Sequence, residues 1–362
     1  MGVIATTSRL DLGGVARCRS PRDGVDGVAT VAAMALLTDT IAGEYEALRR
    51  RAGLVDRSER GKLLLTGAEA KDFLHGQVTN EVLGLTAGTG CYAAFLTHKG
   101  KMLGDLRVLD GGEAGLWLDT ERSALQELFT MIRRFKLGRD VELEKRTLER
   151  ALLSVVGPAA RAVVPGPAGL PEAEHAHVLG EVGGVPARLV VTDGGVDVLC
   201  DAERADDVRA ALVERGAVPV SEAAAEIVRV ESGRPRFGLD LQPESVIPQE
   251  AGLNDRAVSF EKGCYVGQET VARLHWRGKP NRHLRGLRLS APVEAGAVLR
   301  LGEREVGTVT SPVVSPALGP IALALVRREA EPGAVLEVAA PPGDGAATDG
   351  VTASVVALPF GM

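Results

Sequence analysis

The sequence predicts an α+β protein that closes in a small β-barrel or sandwich. Two patterns predict it. Strand pairs recur with single helices between them rather than as a long βαβ series, and after Pro280 helices nearly vanish while short strands alternate with Gly and Pro turns. With 362 residues and 45% apolar content, the chain can bury a sizeable core in more than one domain. Aromatics are only 3%, so Leu, Val and Ala must fill that core.

Taken in order, residues 1–33 carry Arg9, Asp11, Arg17, Arg19, Arg22, Asp23 and Asp26 with no clean apolar stretch, which excludes a secretory signal. We expect this tract to be disordered or an over-long start. A first α+β domain is expected over 34–150. There Ile41, Tyr45, Leu48 and Leu54 carry a loose helical period with a stop near Gly53. Residues 62–66 read as a strand closed by Gly67, and 68–77 as a helix with Phe73 and Leu74 inward. Strands follow at 91–97, 103–109 and 115–120, the first two joined by the turn His98-Lys99-Gly100-Lys101. Residues 123–135 read as a helix with Leu125, Leu128, Phe129 and Ile132 at core spacing and Ser123 as its cap.

A second α+β domain is expected over 151–279. After a last strand of the first domain at 141–144, a strand reads at 152–156, a helix start at 157–161, and a Pro- and Gly-rich loop at 165–174. Strands at 187–191 and 196–200 flank the acidic turn Thr192-Asp193-Gly194-Gly195, and 206–214 reads as a helix. The third domain, 280–362, has strands at 284–289, 306–310 and 321–326, and a long turn near 340–350.

Composition excludes several functions. A net charge of −6 and few aromatics argue against a broad nucleic-acid surface, although the run from Arg273 to Arg288 is locally basic. No apolar run reaches the ~18 residues of a membrane span. Cys18, Cys91, Cys200 and Cys264 are far apart, with no metal-knuckle or disulfide spacing, so no metal site and no tightly bound protein-only iron–sulfur cluster is expected. That cysteine usage reads as a reducing compartment, and with neither a secretory signal nor an apolar span a cytoplasmic protein is expected.

Three stretches could carry chemistry. Lys262-Gly-Cys264-Tyr-Val-Gly267-Gln-Glu269 holds one thiol between two glycines, with Lys262 close enough in sequence to favour thiolate. The bland alternative is a turn whose cysteine is a small buried hydrophobe. In His98-Lys99-Gly-Lys101-Met-Leu-Gly104-Asp105, Asp105 either accepts from a ligand or pairs with Lys99 or Lys101. In Arg229-Val-Glu231-Ser-Gly233, Arg229 either meets a ligand carboxylate through two donors or pairs with Glu231 or Asp240.

With the supporting stretches 63–74, 77–80, 229–240, 246–250 and 307–311, the chain resembles the folate-binding YgfZ family, relatives of the glycine-cleavage T protein (aminomethyltransferase). The octapeptide matches that family's hallmark at every defined position. The resemblance implies a three-domain aminomethyltransferase-like fold around a central channel for tetrahydrofolate or a one-carbon derivative. It implies Arg229 on the cofactor's tail, Asp193 where the T protein places a pterin-reading carboxylate, and Asp105 and Lys99 in the cofactor-binding set. Cys264, Lys262 and Asp105 are the implied reactive groups. The T protein carries an Asp-Asp pair where this chain has Gly104-Asp105, a departure that favours the YgfZ branch. Members of that branch help assemble, repair or maintain iron–sulfur enzymes, including radical enzymes that modify tRNA, so client iron–sulfur proteins are the implied partners. Folate-dependent aminomethyl transfer and a non-folate interaction scaffold are the alternatives. Oxidative demethylation lacks its flavin-binding segment.

Overall fold

The computed structural model describes residues 40–166, 169–341 and 350–361, so the expectation for residues 1–33 and most of that for 340–350 lie outside the described residues. The described chain is α+β, with two sheets and a closed six-stranded barrel.

A helix whose described residues run 40–50 (α1) leads into β1 (Gly53–Asp56) and β2 (Gly61–Thr66). Leu54, read from sequence as helical, is in β1. A Cβ at Gly53 would come within 2.5 Å of Leu48, so the chain turns out of the helix with no side chain in the way. Next come α2 (Ala70–His75), β3 (Gly90–Leu96), β4 (Met102–Asp110), β5 (Leu116–Thr120), α3 (Leu125–Phe135) and β6 (Glu142–Lys145). The antiparallel order β3-β4-β5-β2-β6 makes the first sheet.

β4 shows how the site is built. Side chains alternate across a strand, and Leu106 and Val108 lie in the apolar core with Leu63, Phe73 and Leu118. Gly104 shares their face; Asp105 and Arg107 face the other way. The helix was expected over 123–135 with Ser123 as its cap, but α3 begins at Leu125 and the Ser123 hydroxyl donates instead to Phe237 O, 3.4 Å away.

The second sheet adds β7 (Arg150–Val156), β8 (His177–Val182), β9 (Val185–Thr192), β10 (Gly195–Asp201) and β11 (Val218–Pro219) in the order β11-β1-β7-β10-β9-β8. Leu153, Val155, Val196 and Val198 point into its core. Ser154 and Asp197 therefore point out, toward the first sheet. The short α4 (Ala160–Val163) and α5 (Ala205–Glu214) accompany it, and Val208 and Leu212 of α5 pack into the same core.

α6 (Glu222–Glu231) starts where Ser221 Oγ accepts from Ala224 N at 3.3 Å. Beyond it the chain returns to the first core: Phe237, Leu241, Val246, Leu253 and Val258 all pack there. The short α7 (Asn254–Ala257) and then α8 (Gln268–Arg277) complete this return. β12 (Arg282–Leu289), β13 (Val298–Leu301), β14 (Arg304–Ser315), β15 (Gly319–Arg327), β16 (Val335–Ala339) and β17 (Thr352–Val356) form the barrel, closed by β12–β17 pairing. Among the described residues no helix is long and apolar enough to cross a membrane.

Candidate functional site

The polar faces of the two sheets meet across a seam. Arg107 ties them, contacting Asp119 of β5 and Asp197 of β10, both at 2.6 Å. Ser154 donates to the other Asp197 oxygen at 2.6 Å, and Arg60 adds a second cation on Asp119 at 2.9 Å. Two arginines hold the buried Asp119 carboxyl well below its ordinary range, overcoming the upward push of burial. Paired in this way, the charges can be buried.

A cavity of about 300 Å³ opens beside this network, walled by both sheets, α6 and the 234–237 loop. That volume sits at the lower end for small-molecule sites. An adjoining cavity of about 570 Å³ shares Val156, Glu174, Asp193 and Val228 with it and adds Arg49 and Arg161.

Asp105 lines the cavity and is 5% exposed. Its partner is neither Lys99 nor Lys101: Tyr92 Oη donates to Asp105 Oδ2 at 2.6 Å. Burial pushes its carboxyl up to about 6, and the nearby charge of Glu121 adds to that, while the Tyr92 hydrogen bond pulls it down. Asp105 thus titrates near neutrality, where a carboxyl can both give and take a proton.

Gly104 alters the argument from the missing acid pair. A Cβ there would lie 2.4 Å from the Phe95 ring and 2.7 Å from Ala124 Cβ. An acid at 104 would enter the apolar core, on the opposite face of β4 from the cavity. Its absence in this chain takes no group from the site.

Arg229 lines the cavity, but its donors are occupied. Nε donates to Glu226 Oε2 at 2.8 Å, Nη1 to Asp240 Oδ2 at 2.8 Å and to Arg234 O, and Nη2 to Glu226 Oε1 at 2.5 Å and Ser311 Oγ at 2.7 Å. A guanidinium has five N–H donors, and these bonds use them all. The barrel takes part through a bulge in β14 between Val309 and Ser311, which lets Thr310 and Ser311 both donate to Asp240 Oδ1. Asp193, in the β9–β10 turn, lines both cavities and pairs with Arg234 at 2.6 Å and Arg256 at 3.7 Å. Arg57 also lines the cavity, holding Glu222 through Nε at 3.3 Å, and among the described residues its terminal nitrogens have no partner of their own.

Lys99, Lys262 and Cys264 are not among the cavity's lining residues. Lys99 is exposed in its turn. Lys262 is buried, and its ammonium donates to Val78 O at 2.7 Å and to His75 O, the last residue of α2, and lies 4.9 Å from the Tyr265 ring. Burial lowers its pKa to about 8. Its charge acts on Cys91, whose thiol burial nonetheless pushes up to about 12. Cys264 itself is exposed.

The two glycine-bearing motifs meet. Gly267, at φ +84°, begins α8, and a Cβ there would lie 2.5 Å from Thr97 O and 3.1 Å from Gly100 Cα. Gly100, at φ +77°, is equally confined by Thr270 Cβ at 2.8 Å. Both need the left-handed backbone that glycine adopts freely.

Tyr92, His175, Arg57, Arg256 and Glu121 also line the cavity, and sequence reading did not single them out. His175 and His177 stand two apart in a chain with only six histidines, the one signal available. Among the described residues no cluster of His, Cys, Asp or Glu could hold a metal ion.

Fold and site define a two-sheet body with a C-terminal barrel and a polar, arginine-rich cavity between the sheets. A family model described as the GCVT N-terminal domain matches residues 28–262, and the glycine cleavage T-protein C-terminal barrel domain matches 282–360. Over 330 residues the chain is 32% identical to an aminomethyltransferase of Rubrobacter xylanophilus, covering 88% of this chain and 86% of that protein. It is 30% identical to a chloroplastic transferase of Arabidopsis thaliana, over 71% of this chain but only 61% of the plant protein's length. The crystal structure of glycine cleavage system aminomethyltransferase T from Bartonella henselae matches with a TM-score of 0.76 at 25% identity, covering 89% of each chain. This chain belongs to the glycine-cleavage T-protein family.

Proposed function

We propose that this protein binds tetrahydrofolate or a one-carbon derivative in the cavity between the sheets and acts on the one-carbon unit, as an aminomethyltransferase does. The observation that carries the reading is Asp105: a buried carboxyl titrating near 6, held by Tyr92, on the wall of the cavity. The residues fit the ligand. Seven arginines against five carboxylates line the cavity, suiting an anionic tail, while Phe237, Val156 and Val228 offer apolar wall to flat rings. When bound, tetrahydrofolate would supply a ring nitrogen that carries the one-carbon unit.

Asp105 would hold or take a proton at that nitrogen, and Tyr92 keeps its carboxyl in one orientation. Arg57, with its terminal donors available, is the better tail contact; Arg229 would serve by holding α6, Asp240 and the barrel in place. Asp193 would reach the ligand from within its pair with Arg234. The relatives named as aminomethyltransferases support transfer over a maturation role. The test is formation of methylenetetrahydrofolate from a lipoyl-bound aminomethyl donor. Asp105→Asn should lower turnover about 100-fold or more while affinity for tetrahydrofolate changes little. Equal turnover in both proteins would sink the acid–base role.

A second reading is favoured by Cys264. It is exposed in the YgfZ-like octapeptide, and residues 263–281 lie between the two stretches that the family models match. In that reading the protein, in the cytoplasm, assists assembly, repair or maintenance of iron–sulfur enzymes, tRNA-modifying ones included, with Cys264 contacting the client. Full client-enzyme activity in cells carrying Cys264→Ser would remove it. Absence of folate binding would instead favour a scaffold. The domain division 34–150, 151–279 and 280–362 belongs to the same proposal, supported by the change of sheet between β6 and β7 and the barrel's start at Arg282, while β1 crosses it into the second sheet and Phe237 to Val258 cross it back into the first core.

A further inference from the structure

His175 lines the same cavity as Asp105 and is 8% exposed. Its Nδ1 is buried and has no hydrogen-bond partner among the described residues. Buried polar atoms are nearly always satisfied, so an orphan nitrogen on a residue of the cavity wall points to a partner that the surrounding protein does not supply. The backbone points the same way. His175 has φ +67°, a left-handed conformation that few side chains adopt and that concentrates at functional sites. Its own hydrogen bond fixes that conformation, His175 N donating to Val191 O at 2.8 Å.

The ring's chemistry follows from its neighbours. Nε2 lies 3.5 Å from Glu174 Oε1, and a proton on Nε2, on the side of that carboxylate, leaves the lone pair on Nδ1. Burial, reinforced by the charges of Arg107 and Arg256, holds the imidazolium pKa down to about 3, so the ring is neutral. The nearby carboxylates are engaged elsewhere: Asp197 with Arg107 and Ser154, Asp193 with Arg234. Nδ1 is the acceptor that these internal pairs leave for a ligand.

Resting on the folate reading above, we infer that His175 is a ligand-contacting residue whose Nδ1 accepts a hydrogen bond from an N–H of the bound pterin ring. This gives the cavity a neutral acceptor for the heterocycle, beside the acid that handles the proton.

The experiment is tetrahydrofolate titration of the wild type, His175→Gly and His175→Asn, with 15N-histidine spectra of the wild type. Glycine fits the left-handed backbone and removes the acceptor, so binding should weaken about 10- to 100-fold with thermal stability kept or raised. Asparagine tolerates that backbone and places Oδ1 near the Nδ1 position, so it should bind within about 5-fold of wild type. The Nδ1 resonance should move upfield as ligand is added. Wild-type binding that is indifferent to His175→Gly, or an Nδ1 resonance that stays put at saturation, overturns the contact alone. No tetrahydrofolate binding to the wild type overturns the folate reading and this contact with it.

Discussion

Replacing Asp105 by asparagine should stabilise the protein while disabling it. In the folded chain burial raises the carboxyl from 3.8 to about 6. A carboxyl with a raised folded pKa binds a proton more tightly when native than when unfolded, so stability falls as pH rises between those two values. Below 3.8 Asp105 exacts no penalty, and above about 6 the penalty is complete. Two pKa units correspond to ~3 kcal/mol. Asparagine keeps the shape and an oxygen for Tyr92 Oη, but carries no charge to desolvate. Urea denaturation of both proteins from pH 4 to 8 reads the effect, and the difference between them cancels the other titrating groups. Asp105→Asn should match wild type near pH 4 and exceed it by ~3 kcal/mol at pH 7. A difference that stays constant with pH, or a variant weaker than wild type at pH 7, would refute the argument that burial sets this carboxyl.

Gly104→Asp, which restores the acid pair of the T protein, should lose more than about 4 kcal/mol, because it drives a carboxylate into Phe95 and Ala124; a soluble, normally melting variant in differential scanning calorimetry would contradict this. Gly267→Ala should lower stability by about 2 kcal/mol through its left-handed backbone and the contact with Thr97 O, read as a drop in melting temperature. Lys262→Met should cost about 3 kcal/mol at pH 8 by leaving His75 O and Val78 O unpaired. Because burial lowers the folded lysine's pKa from 10.5 to about 8, wild-type stability gains as pH rises through that window and the gap to Lys262→Met widens; chemical denaturation at pH 8 and 10 checks both statements.

The first sheet was legible because its strands are apolar runs bounded by glycine turns, and the barrel because helices give way to short strands. α6 was equally readable but unread: Ser221 followed by Glu222-Ala-Ala-Ala-Glu-Ile is a capped helix start. Ser123 misled because a hydroxyl before a helical pattern caps only if the chain geometry lets it. Here it bonds Phe237 O, which sequence places 114 residues away. Of the residues named from the sequence and its family resemblance, Asp105, Arg229 and Asp193 all line one cavity. The sequence could not show that Arg229 has every donor occupied, since its partners come from α6, the following loop and the barrel. Nor could it weigh Gly104, whose meaning depends on which face of β4 it occupies. His175 showed in the sequence only as one of two histidines two apart, because its left-handed backbone and orphan nitrogen exist only in the assembled chain.

The contact between Gly100 and Gly267 bears on how motifs are counted. Two recognisable stretches, separated by more than half the described chain, meet backbone to backbone at these residues. Their joint presence in a sequence therefore records one steric requirement, not two independent witnesses to a shared chemistry. A homologue that altered one glycine would be expected to have reshaped the opposite turn as well. Within the octapeptide, Gly267, Tyr265 and Lys262 are accounted for by packing, whereas the exposed Cys264 is not.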